Sequence, residues 1–240
     1  MNLAYPQLSQ FPIRKQKRMR TVVNRLADGR TIKLPDPAAG VTEWNLTYRD
    51  LTDQDAAALQ QIFMAAEGTL HGFTFLDPTA NLLAWSGRLE HAAWAKGPML
   101  TVTGSHLANG GAAPQSLIQT LAAPPGYMYC LSATLRAAQP CTVALLLGAH
   151  RAARAIGTGW SRVTVAAQGE PTFGLELPAG AMVEVDGIQV EPQGGASLYK
   201  PSTLGGVYED ARFRDDFLAI TATGVNRHAA TVNIIHANHL

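Results

Sequence analysis

The chain has 240 residues, 47% of them hydrophobic and only 15% charged, where an average soluble domain carries about 25% charged residues. That leaves ample apolar material for a packed core, argues against a disordered chain, and fits a protein that hides much of its surface against partners. The net charge is +1, so no global field recruits nucleic acid or an anionic membrane.

No apolar run approaches the ~18 residues that span a bilayer, and no membrane insertion is expected. The opening MNLAYPQLSQFPIRK lacks the basic start, apolar stretch and small-residue cleavage site of a secretory signal. The expectation is a soluble protein made in the cytoplasm.

The first predicted elements are strands. MRTVVNRLADGRTIKL reads as a hairpin turning at Asp28-Gly29, the strongest short-range hairpin signal. Next, VTEWNLTYRD alternates, with Trp44, Leu46 and Tyr48 on one face and Glu43, Asn45, Thr47 and Arg49 on the other. That period predicts a half-buried strand. One helix follows: Thr52 is a natural N-cap, Asp53 and Asp55 sit in the first turn, and Gly68 ends it. Leu59, Ile62, Phe63 and Ala66 make its apolar stripe. GFTFLDP then returns to strand, broken by Pro78.

From Asn81 to about Ser202 the chain becomes a series of short β-rich runs separated by Gly, Pro and Asn clusters, the spacing of a β-sandwich. Tyr127, Tyr129, Leu131, Ala133 and Leu135 share one face, and Trp160, opening WSRVTVAA, is expected in the sandwich core. HRAARAIG is too short to be a second helix. If YMYCLSATLRA and CTVALLLGA pair through a turn at residues 137–140, Cys130 and Cys141 lie roughly 20 Å apart along the hairpin. That is too far for a disulfide, so both are expected as free thiols.

After SLYKPSTLGG, the segment RFRDDFLAITATGVNRHAATVNIIHANHL reads as two strands turning near Gly224 to Arg227. Two strands cannot stand alone, and the incomplete strand-helix-strand unit at the start is their natural host. The expected fold is mainly β: a split β-barrel or sandwich domain with one α-helix, residues 1–80 and 204–240, interrupted by a β-sandwich at 81–203.

Candidate chemistry is sparse. Arg14, Lys15, Lys17, Arg18 and Arg20 form a basic strip within seven residues. No aromatic residues interleave with it and the rest of the chain is near neutral, so a solvated loop or a subunit-interface strip facing an acidic neighbour is favoured over a phosphate grip. His236 and His239 make H-x-x-H with Ala237 where a zinc protease motif needs Glu. Glu209, Asp210, Asp215 and Asp216 interleave with Arg212 and Arg214, which points to a salt-linked surface rather than two carboxylates facing across a glycosidase cleft. No nucleophile elbow, Walker loop, dinucleotide fingerprint or Cys-His pair is present. No catalytic residue, cofactor or metal site is therefore expected. Among the aromatics, Trp94 and Tyr199 are candidate glycan contacts, since an exposed ring on a sandwich can stack on a sugar; packing at a domain seam is the alternative, for them as for Trp85.

Three segments carry a resemblance: FPIRKQKRMRTVVNRLADGRTIKL, the strand VTEWNLTYRDLT running into the helix DQDAAALQQIFMAAEGTL, and the exit GFTFLDP. Together residues 1–80 resemble the N-terminal part of distal tail (Dit-like) proteins of long-tailed phages and their gene-transfer-agent relatives. The C-terminal RFRDDFLAITATGVNRHAATVNII resembles the returning strands of the same belt domain. That resemblance implies a homo-oligomeric ring, a hexamer in the family, beneath the tail tube in the virion. Its partners would be the tail tube protein and the tail hub protein.

Residues 81–202 are similar to a carbohydrate-binding-module jelly roll in NLLAWSGRLEHAAW, PGYMYCLSATLRA, GWSRVTVAA, LPAGAMVEVDGIQVEPQ and ASLYKPS. This second likeness implies contact with host cell-surface glycans. At the start of that segment the acidic residue is Glu90 followed by His91, with no acidic cluster for a structural calcium. The sequence thus favours a structural tail-tip protein, with a glycan-binding adhesin module as the alternative and a wall-degrading enzyme using Glu209 or Asp215 set aside.

Overall fold

The computed structural model describes residues 9–237, the side chains of residues 37 and 38 apart. β1 (Gln10–Arg25) and β2 (Thr31–Leu51) form one long antiparallel hairpin. Gly29 takes φ +83° in its turn, a left-handed conformation that glycine adopts without steric cost. The alternating segment at 41–50 is not a separate strand; it continues β2 without a break.

α1 (Asp53–Ala65) starts with a reciprocal capping box: the Asp55 N–H donates to Thr52 Oγ1 at 3.1 Å, and the Thr52 N–H donates to Asp55 Oδ2 at 3.1 Å. It ends at Gly68, where φ is +65° and a Cβ would stand 2.6 Å from Asp216 Oδ1. β3 (Phe73–Leu76) follows.

Ten strands come next: β4 (Ala95–Lys96), β5 (Leu100–Thr103), β6 (His106–Asn109), β7 (Gln115–Thr120), β8 (Tyr127–Ala137), β9 (Cys141–Leu147), β10 (His150–Ile156), β11 (Ser161–Gly169), β12 (Thr172–Leu177) and β13 (Met182–Glu191). The chain finishes with β14 (Val207–Phe213), β15 (Ile220–Gly224) and β16 (Arg227–Ala237). It divides into two compact units, one running to Phe75 and resuming at Tyr208, the other Leu76–Val207. The sequence reading set these boundaries at 80/81 and 203/204.

In the split unit the sheet order is β1-β2-β16-β14-β3, with β15 on β16. The sheet is open among the described residues, not closed into a barrel. Its core joins Trp44, Leu46 and Tyr48 of β2 to Leu59 of α1, Phe73 and Phe75, Phe213, and Val232 and Ile234 of β16. Aromatic edges organise it: Trp44 meets Phe75 at 4.9 Å and Tyr208 at 4.7 Å, while Phe213 takes Phe63 at 5.1 Å and Phe73 at 4.9 Å.

The inserted unit is a sandwich of two five-stranded sheets, β10-β9-β12-β7-β4 and β11-β8-β13-β6-β5. Tyr129, Leu131, Ala133 and Leu135 of β8 face a core shared with Val143, Leu145, Phe173 and Leu175 of the other sheet. Two sequence expectations are corrected here. β8 and β9 do not form a hairpin but lie in different sheets; both thiols are free, for a reason of layering rather than of distance along one hairpin. Trp160 sits just before β11 and is 44% exposed, outside the core.

The segment after β13 folds back over the outer face of its sheet around a buried charge. Glu191 is 0% exposed and accepts from Ser197 N at 2.8 Å, Ser197 Oγ at 2.6 Å, Gln189 Nε2 at 2.7 Å and Lys200 Nζ at 3.1 Å. Burial pushes its carboxyl up, but these donors outweigh that and hold it below the usual carboxylate value. Without the carboxylate, the Ser197 N–H and the Gln189 amide lose their acceptor, while Lys200, 38% exposed, can turn to water. Replacing Glu191 with Ala should cost the sandwich about 1–3 kcal/mol, read by chemical denaturation of the full chain.

Candidate functional site

The basic strip lies on β1, and strand alternation divides it between two faces. Arg14, Gln16 and Arg18 pair with Asn45, Glu43 and Val41, whereas Lys15 and Lys17 pair with Trp44 and Thr42. Arg18 Nη2 reaches Glu43 at 2.9 Å and Gln16 Nε2 reaches it at 3.0 Å, while Arg214 closes on its other oxygen. Glu43 is thus a buried carboxylate, 4% exposed, that ties the strip to the acidic 209–216 segment. Lys15 stands 5.5 Å from the centre of the Trp44 ring. Arg20 pairs with Asp36 at 3.3 Å. Arg14 and Lys17 make no ion pair among the described residues.

Beyond Arg18 the hairpin loses its neighbour. β16 pairs with β2 only between Val41 and Leu51, and the β1–β2 register shifts between Arg18 and Arg20. Past that bulge, residues 20–25 and 31–36 pair with each other alone among the described residues. The result is a free two-stranded ribbon with apolar side chains on both faces: Val22, Ile32 and Leu34 on one, Val23 and Pro35 on the other. Met19 is 76% exposed and Val23 52%. An isolated hairpin of this kind is marginal in water, and clustered exposed apolar groups mark an interaction surface. Charge is segregated as well. Residues 10–36 hold eight Lys and Arg against two Asp, and the rest of the split unit holds nine acidic residues against four Arg.

The two candidate glycan contacts are placed differently from each other. Trp94 is 2% exposed, and its indole N–H donates to the Trp85 carbonyl at 3.2 Å. Core packing therefore denies it a face for a sugar, which corrects that expectation. Tyr199 is half-buried; its ring lies on Gly187, where a Cβ would come within 2.7 Å of Cγ. Its hydroxyl is 3.1 Å from Ser86 Oγ. Trp85 stacks on His91 at 4.2 Å, with backbone φ +51°.

Sequence reasoning missed the exposed aromatic, Trp160. The Arg136 guanidinium lies 4.7 Å from its ring centre and is ion-paired with Glu184 through Nε at 2.6 Å. Beside them is an open hollow of about 420 Å³ lined by His106, Arg136, Thr158, Met182 and Glu184. The available signal was the turn sequence GTGW ahead of the strand.

The acidic segment forms no facing carboxylate pair. Asp215 accepts from Asn233 at 2.9 Å and pairs with Arg214 at 3.2 Å, while Asp216 accepts from the Thr69 N–H at 2.8 Å. His236 lies edge-on to Tyr208, and His239 falls outside the described residues. No group of three or more potential ligands is arranged for a metal among the described residues.

Burial pushes the Glu43 carboxyl up, but the Gln16 hydrogen bond and the Arg214 and Arg18 charges outweigh it, leaving its pKa below the ordinary 4.5. A carboxylate held low in the folded state contributes stability that is complete above its unfolded value and drains as pH falls through the folded one. The split unit should therefore lose thermal stability as the pH falls below 4.5. Glu43→Gln should flatten that slope while lowering the midpoint at neutral pH.

No family model matches the chain, and no curated protein does. Solved structures resemble part of it. A tailspike protein 4 enzymatically active domain from bacteriophage CBA120 aligns at 14% identity over 49% of this chain and 22% of that one, with TM-score 0.37. The CBM22-1 xylan-binding domain of Paenibacillus barcinonensis Xyn10C aligns at 11% identity over 52% and 98%, with TM-score 0.36. A further likeness is to the apo CBM1 of BiXyn10A, at 12% identity over 50% and 97%, with TM-score 0.32. The chain spans about a fifth of the tailspike domain's length and about half of its own residues enter each alignment.

Proposed function

We propose that this chain is a structural subunit of a phage tail tip, which closes through its split unit into a ring joining the tail tube protein to the tail hub protein. The observation that carries the assembly is the free ribbon. A two-stranded extension with both faces wet, apolar side chains outward and a net positive charge is poorly satisfied in a lone chain. Packed on the unlike, acidic surface of a neighbour, it makes a head-to-tail contact, and such contacts repeat until they close into a ring. The hexameric order and the virion location are what the distal-tail resemblance implies. In this reading the chain is not an enzyme and has no cofactor, and neither membrane nor specific nucleic acid is among its partners.

Light scattering and negative-stain imaging of the full chain should find a closed ring. A variant with residues 20–36 replaced by Asn-Gly should be a folded monomer, because among the described residues those strands pair only with one another. A parent chain that stays monomeric at every concentration overturns the assembly.

A second reading, a glycan-binding adhesin module, is favoured by one feature: Trp160 exposed beside the hollow at Arg136 and Glu184. Exposed indole faces stack on sugar C–H faces, and paired charged groups accept and donate to vicinal hydroxyls. On a glycan array this reading requires binding by the parent chain that falls at least about tenfold in Trp160→Ala, a loss of roughly 1.4 kcal/mol. The assembly reading requires that variant to form rings like the parent.

A further inference from the structure

We infer that the ribbon of one copy seats on a patch at the C-terminal end of α1 in the next copy. This rests on the assembly reading and names its acceptor. Two large apolar side chains stand out there: Met64, 66% exposed, and Leu70, 56%. Three carboxylates belong to the same turn: Glu67, whose N–H donates to the Met64 carbonyl at 3.1 Å, Asp216, which accepts from Thr69 N at 2.8 Å, and Asp210, paired at 3.2 Å with the Arg212 that donates to the Leu70 carbonyl.

Its electrostatics ask for a cation from outside. A helix C-terminus carries the negative end of the macrodipole and favours Lys or Arg nearby. The last turn of α1 has no basic residue, and its three carboxylates are met by Arg212, 3.2 Å from Asp210, and by the His71 ring, 3.8 Å from Glu67. The ribbon supplies what is missing. Arg25 and Lys33 make no ion pair among the described residues, and both lie on the ribbon face that carries the exposed Val23 and Pro35. Apolar groups bordered by cations thus meet apolar groups bordered by carboxylates. Neither surface covers the other within one copy, since both are exposed, so the occupant is a second copy of this chain.

Two pairs of charge reversals test this in the full chain: Arg25→Glu with Lys33→Glu on the ribbon, and Glu67→Lys with Asp210→Lys on the patch. Like charges placed face to face suppress association, so each pair alone should weaken assembly more than about tenfold by light scattering. Mixing the two should restore rings, because each reversed ribbon then meets a reversed patch. A single chain carrying all four changes should also assemble, which shows that the individual variants lost contact rather than fold.

If the ribbon pair dissociates the ring and the patch pair does not, the acceptor is wrong while the assembly reading stands. A mixture that remains monomeric likewise overturns the acceptor. Wild-type monomers overturn both, and ring formation untouched by either pair overturns the contact altogether.

Discussion

The split unit depends on a strand that arrives last. β16 lies between β2 and β14, and Asn233 on it meets Asn45 side chain to side chain at 2.7 Å. Until residues 227–237 return, Trp44, Leu46 and Tyr48 lack Val232 and Ile234 opposite them, and the sheet has no middle. The pairing spans nearly the whole chain, which makes it costly to close and late to form. The inserted sandwich, by contrast, is contiguous in sequence with its own core. Its order of assembly is therefore independent of the return.

Buried charge marks where segments distant in sequence are fixed. Glu43 joins β1 to the 209–216 segment through Arg18 and Arg214. Glu191 fixes the strap after β13 through Ser197 and Lys200. Each carboxylate is surrounded by donors, as a buried charge must be, and each sits where an apolar contact would not choose among registers. A one-residue slip would leave a charge buried without partners, so these sites specify geometry more than they add stability.

Local signals served some elements well. The helix was readable from Thr52, its acidic first turn, its apolar stripe and Gly68, because capping and periodicity act within a few residues. The continuity of β2 was not, since LPDPAAG looks like a linker; the structure carries the strand through it with a bulge. β8 and β9 looked like a hairpin because a short turn joins them, yet a sandwich also uses short connections between its layers. Trp94 is buried and Trp160 exposed, the reverse of what their sequence neighbourhoods suggested, because burial is decided by which strands end up overhead. The cations of the strip could be named from sequence, but the isolation of the ribbon among the described residues could not, because it depends on which stretch of β2 the returning β16 covers.

β1 is the outermost strand of its sheet among the described residues, so one row of its peptide groups faces no partner strand. Such a rim is a template for indiscriminate edge-to-edge pairing. Pro12 removes a donor from it, and the positive side chains from Arg14 to Arg20 repel an identical rim. Copies of the chain are thereby kept from zipping together through their backbones. A contact made on this edge would have to be chosen by side chains of opposite sign rather than by the peptide groups.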